Sequence, residues 1–221
     1  MEIKEKALSI VEVAAKTALS VIPVGGALVT AVYDSVKGHC LDKRQKTWQA
    51  SLENRLAVIE KTLEEIGENE LFTTALVKST EIAMRTAREE KMAYLANAVV
   101  NSLDEELDLD EEKLILFLSL LDKYTISHIR TIFFFYNPTR FEQISKHEYM
   151  RAMGTPTDPL FRVYPELDTP LFSKIYNDLY IDGMVNTQSL NVMMSGSGMI
   201  AKRTTPLGDE FLKFILNSDQ K

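Results

Sequence analysis

The chain of 221 residues is long enough for one large or two small domains, and its 45% hydrophobic and 26% charged residues exclude a disordered, collagen-like or disulfide-rich protein. Its single cysteine, Cys40, excludes an internal disulfide and a four-cysteine zinc site, which fits a reducing compartment. The formal net charge of -7 disfavours long-range attraction to nucleic acid, so any DNA contact requires a local basic patch.

The N-terminal segment contains a long uncharged run. Glu12 and Lys16 interrupt the apolar core that a secretory signal needs, and we therefore expect a cytoplasmic protein. The uncharged run at 17–33 contains a proline and two glycines at 23–26, which disfavour one continuous helix. We predict two helices that form a buried hairpin. A segment that perturbs a membrane through residues 17–33 is the alternative.

Apolar residues at helical spacing continue to Leu103 and predict a helical bundle domain over residues 1–103. One seam has the spacing of a helix packed lengthwise on another helix. Its members are Trp48, Leu52, Leu56, Ile59, Leu63 and Ile66. Asn69 is a candidate cap for the next helix. Thr86 and Glu89 have capping-box spacing, so either a new helix begins at residue 87 or one long helix continues.

The composition changes at residues 104–112, where seven carboxylates occur without a basic residue. This segment is either a solvated linker or the first turn of the following helix. It lacks the central glycine and the distal glutamate of a calcium loop, and the chain offers no other metal or cofactor motif. We expect neither a metal nor a cofactor.

The remaining residues, 113–221, begin with two predicted helices. Residues 113–123 are apolar enough for a buried helix, and Thr125 is a candidate cap for a second helix that Pro138 ends. Residues 154–165 contain three prolines and are predicted to form a loop.

A helix, a hairpin and a closing helix are predicted to follow. Thr169 and Pro170 open a helix that Gly183 closes. Residues 184–194 and 199–204 have extended character, and SGSG at 195–198 forms the turn between them. Thr205 and Pro206 repeat the cap-plus-proline signal before the last helix. The order helix, helix, hairpin, helix is that of a winged helix. The predicted fold class is mainly α, with an N-terminal helical bundle and a C-terminal winged-helix subdomain that contains one β-hairpin.

Two parts of the chain resemble known bacterial proteins. The sequences TPLFSKIYNDLYIDGMVNTQ and TTPLGDEFLKFI resemble the C-terminal part of bacterial winged-helix proteins. The sequences REEKMAYLANAVVNSL and SLLDKYTISHIRTIF are similar to bacterial proteins of the abortive-infection alpha type, which occur near phage-defence genes. The resemblance implies a helical architecture and a role in defence. It carries no catalytic residue.

The candidate binding residues lie on the predicted second helix and on the return strand of the winged helix. They are Lys174, Asn177, Lys202 and Arg203. In a DNA-binding winged helix such side chains contact phosphates and base edges. They supply few basic groups for a tight DNA complex, so a protein-docking or dimer surface is the favoured reading.

The three histidines offer one weak catalytic pattern. Arg140 and His147 have a spacing similar to the Arg and His pair of HEPN ribonucleases, which dimerise to cleave RNA. His128 is interpreted as a structural histidine that faces Lys123 or Asp122. We therefore predict a non-enzymatic interaction protein, associated with phage defence by resemblance, that engages a protein partner or a second copy. The alternatives are a winged-helix transcription regulator, a HEPN-like ribonuclease and a membrane-perturbing effector.

Overall fold

The computed structural model describes residues 40–57, 66, 68–149 and 151–217. The described chain is mainly helical and contains one antiparallel sheet of two short strands. The predicted N-terminal hairpin with segment 17–33, and the seam residues Ile59 and Leu63, lie outside the described residues. The chain divides into two compact units, one made of Met1–Lys123 with Phe214–Lys221 and one made of Tyr124–Lys213.

The helices of the first unit are α1 (Asp42–Leu56), α2 (Glu70–Arg85), α3 (Glu89–Asn101) and α4 (Glu111–Lys123). The elements of the second unit are α5 (Ile126–Tyr136), α6 (Lys146–Tyr149), β1 (Met153–Gly154), α7 (Thr157–Val163), α8 (Phe172–Ile181), β2 (Met194–Ser195) and α9 (Gly196–Met199). The last helix, α10 (Pro206–Ile215), belongs to the second unit up to Lys213 and to the first from Phe214.

The first unit is a helical bundle in which α3 packs against α1 and α2, and α2 packs against α4. The predicted seam is confirmed for three of its four described residues, since Trp48, Leu52 and Ile66 are buried, whereas Leu56 is half-buried. The Trp48 indole N–H donates to the Thr80 hydroxyl at 3.1 Å, which satisfies the one polar atom of this side chain inside the core.

Side chains from neighbouring helices cap the C-terminal ends of helices in the first unit. Arg44 donates to the carbonyl of Met84 at 2.9 Å, and Lys91 donates to the carbonyl of Asp122 at 2.7 Å. Asn101 donates to the carbonyls of Phe214 and Leu216, both at 2.8 Å. The last carbonyls of a helix have no partner within the helix, so these bonds satisfy acceptors that burial would otherwise leave unpaired.

Two boundaries that the sequence left open are decided in the first unit. A new helix starts at Glu89, because the chain is extended at Thr86 and Arg88. The acidic segment 104–112 contains a 3-10 helix, Glu105–Leu107, and the first turn of α4. Asp110 accepts the backbone N–H of Lys113 at 2.7 Å and thereby caps α4. The acidic segment therefore lies inside the first unit.

In the second unit α8 packs against α5, and several predicted helix ends are confirmed. Thr125 precedes α5, and Pro138 follows its last residue, Tyr136. Gly183 adopts φ 73°, and the next residue, Met184, donates to the carbonyl of Leu179. This left-handed position ends α8 and suits glycine because a Cβ disfavours it.

The predicted hairpin with SGSG as its turn is wrong. Residues 196–199 form helix α9, and β2 pairs with β1 through Met153 opposite Ser195 and Gly154 opposite Met194. The two predicted strands meet only at the bridge between Val185 and Thr204. The loop predicted at 154–165 is also wrong in part. It contains the end of β1 and helix α7, in which Pro159 occupies the first turn, where no backbone donor is needed.

Candidate interaction surface

The second unit exposes large apolar side chains on the ribbon formed by β1 and β2. Met153 and Met193 are 77% and 68% exposed, and Val192 is 49% exposed. Met153 lies opposite Ser195 in the ribbon, so the alternation of an extended chain places Met193 on the same face as Met153. We call Met153 and Met193, together with the exposed neighbour Val192, the methionine surface. The exposed ends of α8 add Leu171 and Ile181 to the apolar surface of this unit.

Two of the three residues of the methionine surface, Val192 and Met193, lie in a long segment without charge. Residues 183–201 contain no acidic or basic side chain, although 26% of the whole chain is charged. Four methionines lie in this segment, two of them buried and two of them in or next to β2. Exposed segments normally carry charged side chains, which keep the protein surface soluble. The absence of charge from residues 183–201 is therefore unusual.

Tight packing and hydrogen bonds hold the ribbon in place. Helix α9 packs against α6, α7 and β1. A Cβ atom on Gly196 would overlap the backbone carbonyl of Tyr149, so the chain approaches here as closely as only glycine allows. Asp158 accepts the backbone N–H of Thr155 at 2.7 Å and fixes the turn after β1. The exposed methionines are therefore presented from a packed support.

The four predicted binding residues do not form a basic surface. Lys174 and Asn177 are exposed on α8, but Lys174 forms an ion pair with Asp178. Lys202 is exposed, pairs with Asp209 at 2.5 Å and lies over the ring of Tyr136. Each lysine is thus accompanied by a carboxylate that offsets its charge toward phosphate.

Arg203 lies in the core and not on the surface, which corrects the expectation for this residue. It is 6% exposed and donates to the hydroxyl of Thr187 and to the carbonyl of Gly198. Its backbone N–H donates to the carbonyl of Phe135 at 2.9 Å. In an extended chain, adjacent side chains point in opposite directions, so Lys202 can be exposed while Arg203 is buried. Two adjacent basic residues in a sequence do not reveal this difference.

Arg140 and His147 lie on different elements. Arg140 ends the 3-10 helix Pro138–Arg140, with its guanidinium over the ring of Phe133, and His147 lies in α6. The chain bends between them at residues 141–143. The HEPN pattern requires the two residues to share one helix. Arg140 and His147 do not meet this requirement.

His128 belongs to a buried polar cluster that the sequence did not predict. Its Nε2 lies 3.6 Å from a carboxylate oxygen of Asp178, and its ring stacks on Tyr124 with centroids 5.0 Å apart. Tyr124 donates to Asp182 at 2.9 Å. His128 thus contacts Asp178 of α8, a partner other than the expected Lys123 or Asp122, because α5 packs against α8. No local signal reveals carboxylates that lie fifty residues further along the chain.

Tyr124 makes the stability of the protein sensitive to alkaline pH. Burial, together with the hydrogen bond to Asp182 and the charge of Asp178, raises the pKa of Tyr124 well above its usual range. Above about pH 10 the unfolded chain ionises its tyrosines, whereas folded Tyr124 keeps its proton. The unfolded state then binds fewer protons, and we expect the free energy of unfolding to fall as the pH rises from 10 to 11.

Urea unfolding at pH 7 to 11 measures this dependence. The Tyr124→Phe variant should lose stability at pH 7 but show a shallower decline above pH 10. The Tyr180→Phe variant, altered at a partly exposed tyrosine of α8, is the control and should follow the wild type. An unchanged slope in Tyr124→Phe would contradict the assignment.

The described residues show no further candidate site of an established kind. None of the described helices is long and apolar enough to cross a membrane. In the same residues no group of three or more His, Cys, Asp or Glu side chains is arranged to hold a metal ion. Cys40 is exposed, and His39 lies outside the described residues. The chain matches no protein-family model, and comparison with curated proteins and with solved structures finds no significant similarity.

Proposed function

We propose that the protein acts by non-enzymatic association and that the methionine surface is where it binds. The observation that carries this proposal is the high exposure of Met153, Val192 and Met193 on a packed, uncharged ribbon. Grouped apolar side chains of this size on a folded unit mark interaction sites. Methionine suits such a site because its flexible, polarisable side chain adapts to the surface that it meets.

We propose a second copy of the chain as the partner. A two-fold interface brings one patch against itself, and a patch without charge meets its copy without repulsion. The net charge of -7 opposes contact elsewhere between two copies, so the uncharged segment 183–201 is the favourable place to meet. Among the described residues β1 and β2 pair only with each other, which leaves the outer edges of the ribbon open for pairing between copies.

Light scattering after gel filtration tests this association. We expect the mass to rise above the 25.1 kDa of one chain as the protein concentration increases, and to rise further at high salt, which screens the repulsion. Replacing Met153 and Met193 by serine should weaken dimerisation by at least about tenfold, because two exposed anchors of the interface are lost.

The matched control replaces Gln188 and Asn191 by serine, since both are exposed polar residues of the same uncharged segment. This control should dimerise like the wild type. A wild type that stays monomeric at every concentration and salt would overturn the proposal. Equal dimerisation of the methionine variant and the wild type would do the same.

A winged-helix DNA-binding regulator is the second candidate. The bridge between Val185 and Thr204 follows α8, so the second unit has the order of a recognition helix, a pair of extended segments and a closing helix. In this candidate the second unit is a shortened winged helix, and Lys174, Asn177 and Lys202 contact DNA. A salt-sensitive mobility shift with duplex DNA that Lys202→Glu abolishes would favour it over protein association.

We also propose a biological role for this association. The resemblance of residues 88–103 and 119–133 to proteins of the abortive-infection alpha type supports a role in phage defence.

A further inference from the structure

Arg203 is a buried cation that has no carboxylate partner among the described residues. Its guanidinium donates to the hydroxyl of Thr187 at 3.2 Å, the carbonyl of Gly198 at 2.6 Å and the sulfur of Met194 at 3.2 Å. All three acceptors are neutral, and the thioether sulfur is a weak one. The Nε–H of Arg203 makes no hydrogen bond. Burial lowers the pKa of Arg203 from its usual value, although the neighbouring Tyr176 opposes this change.

Such an arrangement is costly for a guanidinium. A charge removed from water is normally compensated by an opposite charge or by a full set of hydrogen bonds. Arginine has five N–H donors, and its planar group matches the two oxygens of a carboxylate or a phosphate. A guanidinium held by neutral acceptors, with one donor unused, therefore has the chemistry of a site that an anion completes.

A second buried donor interacts electrostatically with Arg203. The hydroxyl of Tyr176 meets no partner at full hydrogen-bond geometry in the described chain, and the whole residue is 4% exposed. Burial raises the pKa of Tyr176 to about 12, while the positive charge of Arg203 and the nearby hydroxyl of Thr187 act in the opposite direction. The phenol thus remains a hydrogen-bond donor at neutral pH. The Nε–H of Arg203 and the hydroxyl of Tyr176 thus belong to two buried, electrostatically coupled residues, one in α8 and one in the segment that follows α9.

The side chain of Met194 contacts the guanidinium of Arg203. Its sulfur accepts from Nη2, and its Cβ lies 3.1 Å from the position of a Cβ on Gly198. Met194 is half-buried and lies in β2 next to the exposed Met193. A methionine side chain is unbranched and has three rotatable bonds, so it adapts readily to a changed neighbour.

We propose that Arg203 and Tyr176 form a binding site for one small oxyanion, a carboxylate or a phosphate, which enters when the Met194 side chain turns outward. The anion would accept the Nε–H of Arg203 and the hydroxyl of Tyr176, and it would take the place of the Met194 sulfur. This inference rests on buried donors and is independent of the proposed dimerisation through Met153 and Met193.

Thermal unfolding of the full chain in sodium acetate or inorganic phosphate, at constant ionic strength and pH 7, tests the site. We expect either or both anions to raise the melting temperature of the wild type by about 3 °C at ten times the dissociation constant. Acetate alone would identify a carboxylate site, and phosphate alone a phosphate site. The Met194→Ala variant should bind about tenfold more tightly, because its site is open without a rotation of the side chain.

The controls separate this site from surface binding. Lys202→Met removes the adjacent exposed cation and should leave the anion effect unchanged, whereas Arg203→Met should abolish it. If Arg203→Met does not fold, Tyr176→Phe keeps the ring and should lower the affinity by about three- to tenfold. Line broadening of phosphate in 31P spectra provides a second, direct readout of binding.

Two results would overturn the proposal. The first is an unchanged melting temperature of Met194→Ala up to about 100 mM of either anion. The second is an equal anion effect in Tyr176→Phe and the wild type, which would indicate an adventitious ion only.

Discussion

Replacing Gly196 by alanine is expected to destabilise the second unit by about 3 kcal/mol, because the added Cβ would overlap a backbone atom. The atom is the carbonyl oxygen of Tyr149, which α6 holds in place. A flexible side chain could move aside, but a backbone carbonyl moves only with its helix. The variant should therefore lose the packing of α9 against α6 and β1. Urea unfolding followed by far-ultraviolet circular dichroism measures this change.

The neighbouring Gly198 provides the matched control. A Cβ at this position would lie 3.1 Å from the Cβ of Met194, a close contact that a side chain in an edge strand relieves by a small shift. We expect Gly198→Ala to cost about 1 kcal/mol or less. Equal effects of the two substitutions would show that the loss of glycine in α9, and not the overlap with Tyr149, determines the stability.

Replacing Asn101 by alanine is expected to cost about 2–4 kcal/mol in the first unit. The Asn101 amide donates to the carbonyls of Phe214 and Leu216, and alanine leaves both acceptors without this donor in the core. An unsatisfied buried acceptor costs about 1–3 kcal/mol, and here two are affected. Trp48 is the single tryptophan of the chain and lies in the same unit, so its fluorescence during urea unfolding measures the effect.

Asn97 offers a graded comparison, since it is also buried on α3 but donates to one carbonyl, that of Ile215, at 2.9 Å. We expect Asn97→Ala to cost about half as much as Asn101→Ala. The exposed Asn177 should tolerate alanine with a change of less than about 0.5 kcal/mol. A loss for Asn101→Ala no larger than that for Asn177→Ala would show that water replaces the amide at these carbonyls.

Helix boundaries were the features that sequence reasoning predicted best. Asn69 caps α2 by accepting the backbone N–H of Phe72 at 2.8 Å, and the Thr205 hydroxyl accepts the backbone N–H of Gly208 at 3.0 Å. Pro138 and Gly183 mark the ends of α5 and α8. Each of these signals acts on the backbone within four residues. A local pattern therefore contains all the chemistry that determines the boundary.

The ribbon was not predictable in the same way. Segment 195–198 has the composition of a turn, and its neighbours alternate, so a local hairpin was the natural expectation. In the structure β2 pairs with β1, which lies some forty residues earlier in the chain. Strand pairing depends on which segments the rest of the fold brings together. A two-residue strand carries too little pattern to reveal its partner.

For the candidate sites too, the sequence predicted local features but not the contacts between distant residues. The exposure of Met153 and Met193 has no marker in the sequence, because an apolar residue in a loop is as often buried as exposed. Lys174 and Lys202 were identified as exposed, but the acid that accompanies Lys202, Asp209, was not assigned to it. The sequence supplied the residue types at these sites, and packing decided their surroundings.

The sequence by itself determined the helical class, the helix ends at Asn69, Thr125, Pro138, Gly183 and Thr205, the buried residues near Trp48 and the uncharged character of residues 183–201. These properties follow from periodicity, capping and composition, which are local. Only the tertiary structure decided that Arg203 is buried next to Tyr176 and that β2 pairs with β1. The physical reason is that burial and strand pairing depend on residues distant in sequence, whose proximity exists only after the chain has folded.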